Sequence, residues 1–464
     1  MQNRHSQDSV GFDDYMKNFN TLVLNYFPSQ KEWTPGDDAL FKPLDLYQVP
    51  PKQADSLRFK AIKHIFHYHY THNTYYQSFC KNQSVLPSDI KTESDFKKIP
   101  LLVDTFYKNY PSGKDFALWL GNLFSSDIPQ VVIKKKSPSH DDVINDFNDA
   151  GLAIAYSSGT SGRHTFIPRD KRTFYASEYA VAKSVIAMIY PLWKYDMHGY
   201  LLMPNPYKTN VYAGKVTRIY FDVIKNIEVA INREITADSI QATMSSKRSL
   251  KTTLVKKVAK RMYKKMINKI ILWLMEREKN KDDIAFVGAP FILHFVMNKL
   301  EKEGQSFTFG DGSGVITGGG WKIYEDNRMP TKQFRKRVDQ ILGIPPQNCL
   351  DIYGMVEGNG WMTQCPEGHY LHIPSTYFYP LILDDEFHPL GYKEWGRFAF
   401  LDGISYSYPG FIISGDTVRL LEHCPVCDRP GPVLEPEIRR AKGEEMRGCA
   451  EELRRVLSAD LGGK

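Results

Sequence analysis

Apolar positions in this chain recur at two spacings, and the change from one to the other marks its layout. Over residues 12–27 and 55–79 they return every three to four positions, the period of amphipathic helices, with Pro28, Pro35, Pro43, Pro50 and Pro51 punctuating the interval. Residues 1–100 therefore read as a mostly helical segment packed on the main domain. Beyond it come short apolar runs at 99–103, 151–156, 199–203, 284–287, 314–317, 350–353 and 411–413, several of them closed by Gly or Pro, with helix-like stretches such as 174–191 between them. Strands alternating with helices predict the α/β class and a mostly parallel, doubly wound sheet. Ligands of such sheets sit at the carboxyl ends of the strands.

One helix stands apart by its charge. Residues 247–269 hold ten Lys/Arg and no acidic residue, while Leu250, Leu254, Val258, Met262, Met266, Ile270 and Leu274 recur every four residues. The pattern is one amphipathic helix with a strongly basic face. Such a helix either covers the sheet as a solvated surface element or docks an acidic partner, such as an acyl carrier or reductase subunit, or an anionic membrane surface. Nucleic acid ranks behind these, since no recognised module accompanies the charge.

Composition narrows the class. The 464 residues, 42% hydrophobic and 13% aromatic, suffice for a large domain and a smaller one with a core that needs no disulfides. The first ten residues lack a signal-peptide pattern, and the most apolar stretch, 270–275, falls far short of the roughly 20 residues of a membrane span. A cytoplasmic protein is the expectation. Phe66, Tyr68, Tyr70, Tyr75 and Tyr76 read as core and surface rings, because no regular Arg/Lys interleaves them. His64, His67, His69 and His72 lack interleaved carboxylates or cysteines and read as core or solvated histidines.

Four segments carry candidate chemistry. Ser157, Ser158, Gly159, Thr160, Ser161 and Gly162 come directly after the run 151–156, and glycines with short hydroxyls can turn donors inward around phosphate oxygens. No Gly-Lys-Ser/Thr ends the loop, which excludes a Walker A motif. Gly318, Gly319 and Gly320 come after the run 314–317 and form either a tight turn or a floor on which a flat ring can lie. Tyr353-Gly354-Met355-Val356-Glu357 closes another strand, where the carboxylate can hold Mg²⁺ and the ring can flank a base. Gly415-Asp416 ends the last long run, and an Asp there can accept both ribose hydroxyls.

Order and spacing join these four. Together they resemble the adenylate-forming (acyl-activating) superfamily of acyl-CoA synthetases and their relatives. Within it, Gly319-Gly320-Trp321-Lys322, the Cys424-Pro425-Val426-Cys427 that comes after Gly-Asp, and the tail Arg447-Gly448-Cys449-Ala450 resemble the acyl-protein synthetase (LuxE-type) family, with phenylacetate-CoA ligases as cousins. The resemblance implies a large adenylate-forming domain of doubly wound mixed sheets and surrounding helices at 101–420, then a short truncated C-terminal segment at 421–464. It also implies ATP, Mg²⁺ and a carboxylic acid as reactants, a fatty acid in the acyl-protein synthetase sense or, in the alternative of an acyl- or aryl-CoA ligase, an aryl acid. Carried over by position, residues 157–162 would grip phosphates, with Thr160 in a catalytic place. Gly318 to Gly320, Tyr353 and Gly354 would frame adenine, Glu357 would ligate Mg²⁺, and Asp416 would hold the ribose. The acyl group would pass to a thiol, that of Cys449, or to CoA or a partner protein. Only 48 residues come after Asp416, so the superfamily's mobile domain and its lysine have no full counterpart, and Lys442 is the nearest candidate for that lysine.

The cysteines at 80, 349, 365, 424, 427 and 449 are too scattered for a secreted disulfide framework. Cys424 and Cys427 have metal-knuckle spacing, and Cys365 with His369 or His372 can complete four ligands to a structural zinc.

Overall fold

The sheet is assembled from strands that are short wherever a Gly or Pro closes an apolar run. In chain order they are β1 (Leu102–Val103), β2 (Ala153–Tyr156), β3 (Phe166–Arg169), β4 (His198–Pro204), β5 (Asn226–Ile231), β6 (Ile284–Gly288), β7 (Gly314–Gly318) and β8 (Cys349–Tyr353). They continue as β9 (Met362–Gln364), β10 (Leu371–His372), β11 (Phe378–Leu383), β12 (Trp395–Asp402), β13 (Phe411–Leu421), β14 (Val433–Leu434) and β15 (Arg439–Arg440). The computed structural model describes residues 10–157, 163–237, 250–321 and 328–441. Ser158, Gly159, Thr160, Ser161, Gly162, Lys442 and Cys449, all singled out above, lie outside the described residues.

Thirteen strands share one sheet, in the order β11-β12-β13-β14-β10-β9-β8-β7-β6-β4-β5, with β1 and β15 also paired to β13; β2 and β3 form a separate hairpin. From β5 to β8 every neighbour is parallel. Along the order from β8 to β11 every neighbour is antiparallel, while β1 joins β13 in parallel. The predicted doubly wound pattern is therefore present in the half where strands alternate with helices. The chain lays β5 on one side of β4 and returns to lay β6 on the other, which makes a switch point at their carboxyl ends.

Side-chain alternation along the parallel strands explains the layers. Tyr200, Leu202, Phe286 and Val315 join one core cluster with Met266, Ile270, Trp273 and Leu274 of the helix Leu250–Asn280 and with residues of Pro290–Lys302 and Thr331–Leu342. The intervening Leu201, Ala285, Val287 and Ile316 face a larger cluster, which takes in the helices Phe12–Leu22, Pro51–His72 and Lys171–Met188. The N-terminal helices thus share the core of the main sheet.

From Met266 to Leu274 the basic helix covers the sheet, while Met262 of the expected apolar stripe is exposed, as are Leu272 and Met275. Among the described residues no helix is long and apolar enough to cross a membrane.

Two local outcomes differ from the sequence expectation. The single helix expected over 55–79 is broken at Asn73, whose Oδ1 accepts the Tyr76 N–H at 2.9 Å while its Nδ2 donates to Leu123 O and Phe124 O. A side chain that caps a new helix start satisfies donors that a continuous helix would satisfy by itself, so periodicity alone does not reveal the break. The described part of the C-terminal segment supplies β14 and β15 to the large sheet. Of the four histidines, His69 is buried with Nδ1 2.7 Å from Ser125 Oγ, as a core histidine.

Candidate active site

The hydroxyl-rich loop is the connection of the β2–β3 hairpin, whose last pair is Tyr156 with Phe166. Its neck is closed by short-range bonds: the Ser157 N–H donates to Thr165 O at 3.0 Å, and the Thr165 N–H donates to Ser157 Oγ at 2.9 Å. His164 Nδ1 adds a bond to Ser157 O at 2.8 Å. Of the loop's six named residues, Ser157 alone is described.

Glu357 reaches this neck from the end of β8. Its carboxylate accepts a hydrogen bond from the Thr165 side chain, and it is 7% exposed. Burial first, then the negative charge of Asp104, push its pKa up to about 7, against the pull of Lys108 and Thr165. Asp104 is itself buried and paired with Lys108 at 2.5 Å. Two carboxylates share this pocket, one without a paired cation among the contacts described, an arrangement of oxygen donors that fits a hard divalent ion.

A buried arginine holds the loop that presents Glu357. Arg169, at the end of β3, donates through Nε to Asn359 Oδ1 at 2.7 Å and through Nη2 to the carbonyls of Val356 and Gly358 at 2.6 and 3.1 Å. Its guanidinium lies 4.6 Å from the Tyr212 ring centre and 5.4 Å from that of Tyr408. Both hydroxyls bind the same loop: Tyr408 donates to Glu357 O at 2.8 Å and Tyr212 to Gly358 O at 2.9 Å. At the loop's start Gly354 has no room for a side chain, because a Cβ there would overlap the Trp361 indole.

On the other side of β8, Tyr353 donates to Asp416 Oδ2 at 2.7 Å, and Arg440 of β15 pairs with Asp416 Oδ1 at 2.8 Å. Burial and the adjoining Asp416 charge hold the Tyr353 phenol well above its ordinary value, so it is a fixed donor. The glycine turn begins on the neighbouring strand end, where Gly318 is in register with Ile352, and Gly319 and Gly320 take φ of +77° and +63°. That left-handed backbone disfavours side chains at both positions; Gly318 packs directly on Ile352, while the space around Gly320 is open.

Glu357, Tyr353, Asp416, Ser157 and the glycine turn thus gather at the carboxyl ends of β7 and β8. Sequence reasoning passed over Asp104, Lys108, Thr165, Arg169, Asn359 and Tyr408. Each is one polar residue in an apolar or loop setting, without a motif around it.

The cysteines converge elsewhere. Sγ of Cys365, Cys424 and Cys427 and a ring nitrogen of His372 lie within 4.8 Å of one another, and His372 Nε2 is 3.3 Å from Cys427 Sγ. The histidine of this group is His372. His369, the other sequence candidate, sits in the preceding turn at φ +60° and stands outside the group. Spacing cannot make this choice, because His372 takes its direction from its pairing with Thr363 and Val433 in the sheet.

Comparison with known proteins agrees with this architecture. A sequence model of the family described as Acyl-protein synthetase, LuxE, matches residues 248–458. The chain is 22% identical over 411 residues to a long-chain-fatty-acid–luciferin-component ligase of Vibrio harveyi, covering 88% of this chain and 90% of that one. The protein of the same name from Aliivibrio fischeri is 22% identical over 416 residues, with 88% and 91% covered. Among solved structures, an open conformation of 2-hydroxyisobutyryl-CoA ligase in complex with 2-HIB-AMP and CoA superposes with a TM-score of 0.59 at 14% identity, over 90% of this chain and 76% of that one. The chain is thus similar to the LuxE-type acyl-protein synthetases and has the fold of an adenylate-forming ligase.

Proposed function

We propose that the protein activates a fatty acid with ATP and passes the acyl group to a thiol, that of its own Cys449. The observation that carries this reading is the meeting of four distant segments at one end of the sheet: Tyr353 bonded to Asp416, the glycine turn beside them, and Glu357 against the neck of the Ser157 loop. The relatives from Vibrio harveyi and Aliivibrio fischeri are long-chain-fatty-acid–luciferin-component ligases, which supports the acid class.

In this reading the 157–162 loop cradles the phosphates, the floor of Gly318 to Gly320 with Tyr353 and Gly354 receives adenine, and Asp416 takes the ribose hydroxyls. Glu357, with Asp104 beside it, would hold Mg²⁺, which when bound disperses charge on the departing pyrophosphate. Lys108 is the described cation next to these carboxylates. A carboxylate oxygen of the acid attacks the α-phosphorus, the bond to the β-phosphate bridge breaks, and pyrophosphate leaves. The Cys449 thiolate then attacks the acyl carbon and AMP departs, leaving a thioester for a reductase or another acceptor protein. The basic helix offers such a partner, if acidic, a docking face.

The test is intact-mass spectrometry after incubation with ATP, Mg²⁺ and a fatty acid, without CoA. An acyl adduct on Cys449 is expected, and Cys449→Ala should keep acid-dependent pyrophosphate exchange at the wild-type rate. Labelling that needs CoA would move the acceptor off the protein, and absence of any exchange with a panel of acids would mark a non-catalytic nucleotide-binding or docking protein. A second expectation concerns Asp416. Because one of its oxygens is oriented by Tyr353, Asp416→Ala should raise the KM for ATP about tenfold or more through loss of charged hydrogen bonds; an unchanged KM would remove Asp416 from the ribose.

A further inference from the structure

The antiparallel half of the sheet contains one thin join. β10 and β14, which link β9 to β13, are two residues long, so each is tied to its neighbours by only two residue pairs. Asp416 lies on β13, beyond this join from Tyr353 on β8. A junction so short in ladder bonds needs another tie if the two sides are to keep a fixed spacing.

The cysteine group sits at this join. Cys365 comes directly after β9, His372 is on β10, and Cys424 and Cys427 lie in the connection from β13 to β14. Their ligand atoms are all within 4.8 Å of one another, and three of the four residues are buried. A tetrahedral zinc with Zn–S of about 2.3 Å would set sulfur–sulfur separations near 3.8 Å, so these side chains need only a small contraction to close on an ion.

Hydrogen-bond donors face the sulfurs, against a burial that by itself favours the neutral thiols. Amide groups of Gly368 and Tyr370 hydrogen-bond the Cys365 sulfur, and the backbone and side chain of Arg429 hydrogen-bond that of Cys427. Arg429 also pairs with Glu367 at 2.7 Å, which locks the turn after Cys365 to the knuckle. Donors aimed at sulfur stabilise the ionised ligand and orient it.

We propose that Cys365, His372, Cys424 and Cys427 bind one structural Zn²⁺ that staples β9, β10 and the β13–β14 connection together. Three thiols give up their protons on binding and the histidine binds as the neutral ring. Four protein ligands leave no open position for water or substrate, so the ion takes no part in acyl transfer. Soft sulfur ligands in tetrahedral number select zinc over magnesium or calcium. The inference stands apart from the reaction proposed above, since its readout is metal content and not activity.

The test uses the full chain, expressed with zinc supplied and purified without a metal-binding tag. Elemental analysis should find about one zinc per chain. His372→Ala and Cys427→Ser should lose it, while His369→Ala, Cys80→Ser and Cys349→Ser keep it. Should the ligand variants fail to fold, the wild-type protein still decides: a chelator such as 1,10-phenanthroline should lower the melting temperature by about 5 °C or more, with recovery on adding Zn²⁺. Cobalt(II) in place of zinc should show thiolate charge-transfer absorption. Zinc below about a tenth per chain, or Cys424 and Cys427 recovered as a disulfide in freshly purified protein, would overturn the proposal. So would metal loss in His369→Ala with retention in His372→Ala.

Discussion

Glu357→Gln is expected to slow acid-dependent pyrophosphate exchange by at least a hundredfold, about 3 kcal/mol of transition-state stabilisation, while leaving the fold intact. Gln keeps the size and the bond to Thr165 but removes the charge that would hold the cation. The same substitution has a second signature in stability. Glu357 titrates near 4.5 in an unfolded chain and about 7 when folded, raised by burial and by Asp104. Between these values the folded protein holds a proton that the unfolded chain has released, so stability falls as pH rises through this window. Below about pH 4.5 there is no penalty from this group; above about pH 7 it is fully present and amounts to up to about 3 kcal/mol. Glu357→Gln should therefore match the wild type in stability at low pH and exceed it at pH 8 without metal. Added Mg²⁺ should narrow the gap by favouring the ionised wild-type carboxylate. Exchange within twofold of wild type, or a stability difference that does not move with pH, would contradict the assignment.

Glu357 is legible in the sequence and its neighbours are not, because the two are held in place differently. Strand ends that carry ligands must stop abruptly, and the glycines at 318–320 and 354 write that stop into the local sequence. Tyr353 and Glu357 are found because they adjoin such stops, whereas Gly415-Asp416, expected to end a strand, lies inside β13, which runs on to Leu421 because its ladder with β12 continues past the pair. Asp104, Thr165, Arg169 and Tyr408 meet the Glu357 loop across 51 to 253 positions of chain, and no local pattern records those pairings. The alternation that separates the two helical layers is visible at Tyr200, Leu201 and Leu202, but in a parallel strand both faces are apolar, so the sequence shows the strand and not which helix covers which face. The break at Asn73 and the choice of His372 over His369 are likewise tertiary, set by the Leu123 and Phe124 carbonyls and by the pairing of β10.

The position of Glu357 depends on a residue that touches no reactant. Arg169 is fully buried, and replacing it with Met should reduce stability by about 3–5 kcal/mol, because it removes one partner from a buried charged network. Two acceptors would be left without a donor, the carbonyl of Val356 and the amide oxygen of Asn359, while the Gly358 carbonyl keeps its bond from Tyr212. Each costs about 1–3 kcal/mol when buried without a donor, partly relieved by relaxation of the loop. The cation over Tyr212 and Tyr408 would go too, and with it a charge that favours ionised Asp402, whose carboxylate receives the Asn359 N–H at 2.8 Å. Arg169→Lys keeps the charge but cannot bridge a side-chain amide and two carbonyls at once, so it should fall between Met and wild type. Denaturant titration should show the midpoint falling in the order Arg, Lys, Met with the slope unchanged. Because Tyr408 and Tyr212 still bind the loop, the variants should retain its backbone near the sheet but let Glu357 wander. Exchange measured well below the melting temperature should then lose rate at saturating ATP more than it loses affinity for ATP. A loss under about 1 kcal/mol in Arg169→Met, or a defect confined to ATP affinity, would show that the loop holds its shape without the clamp.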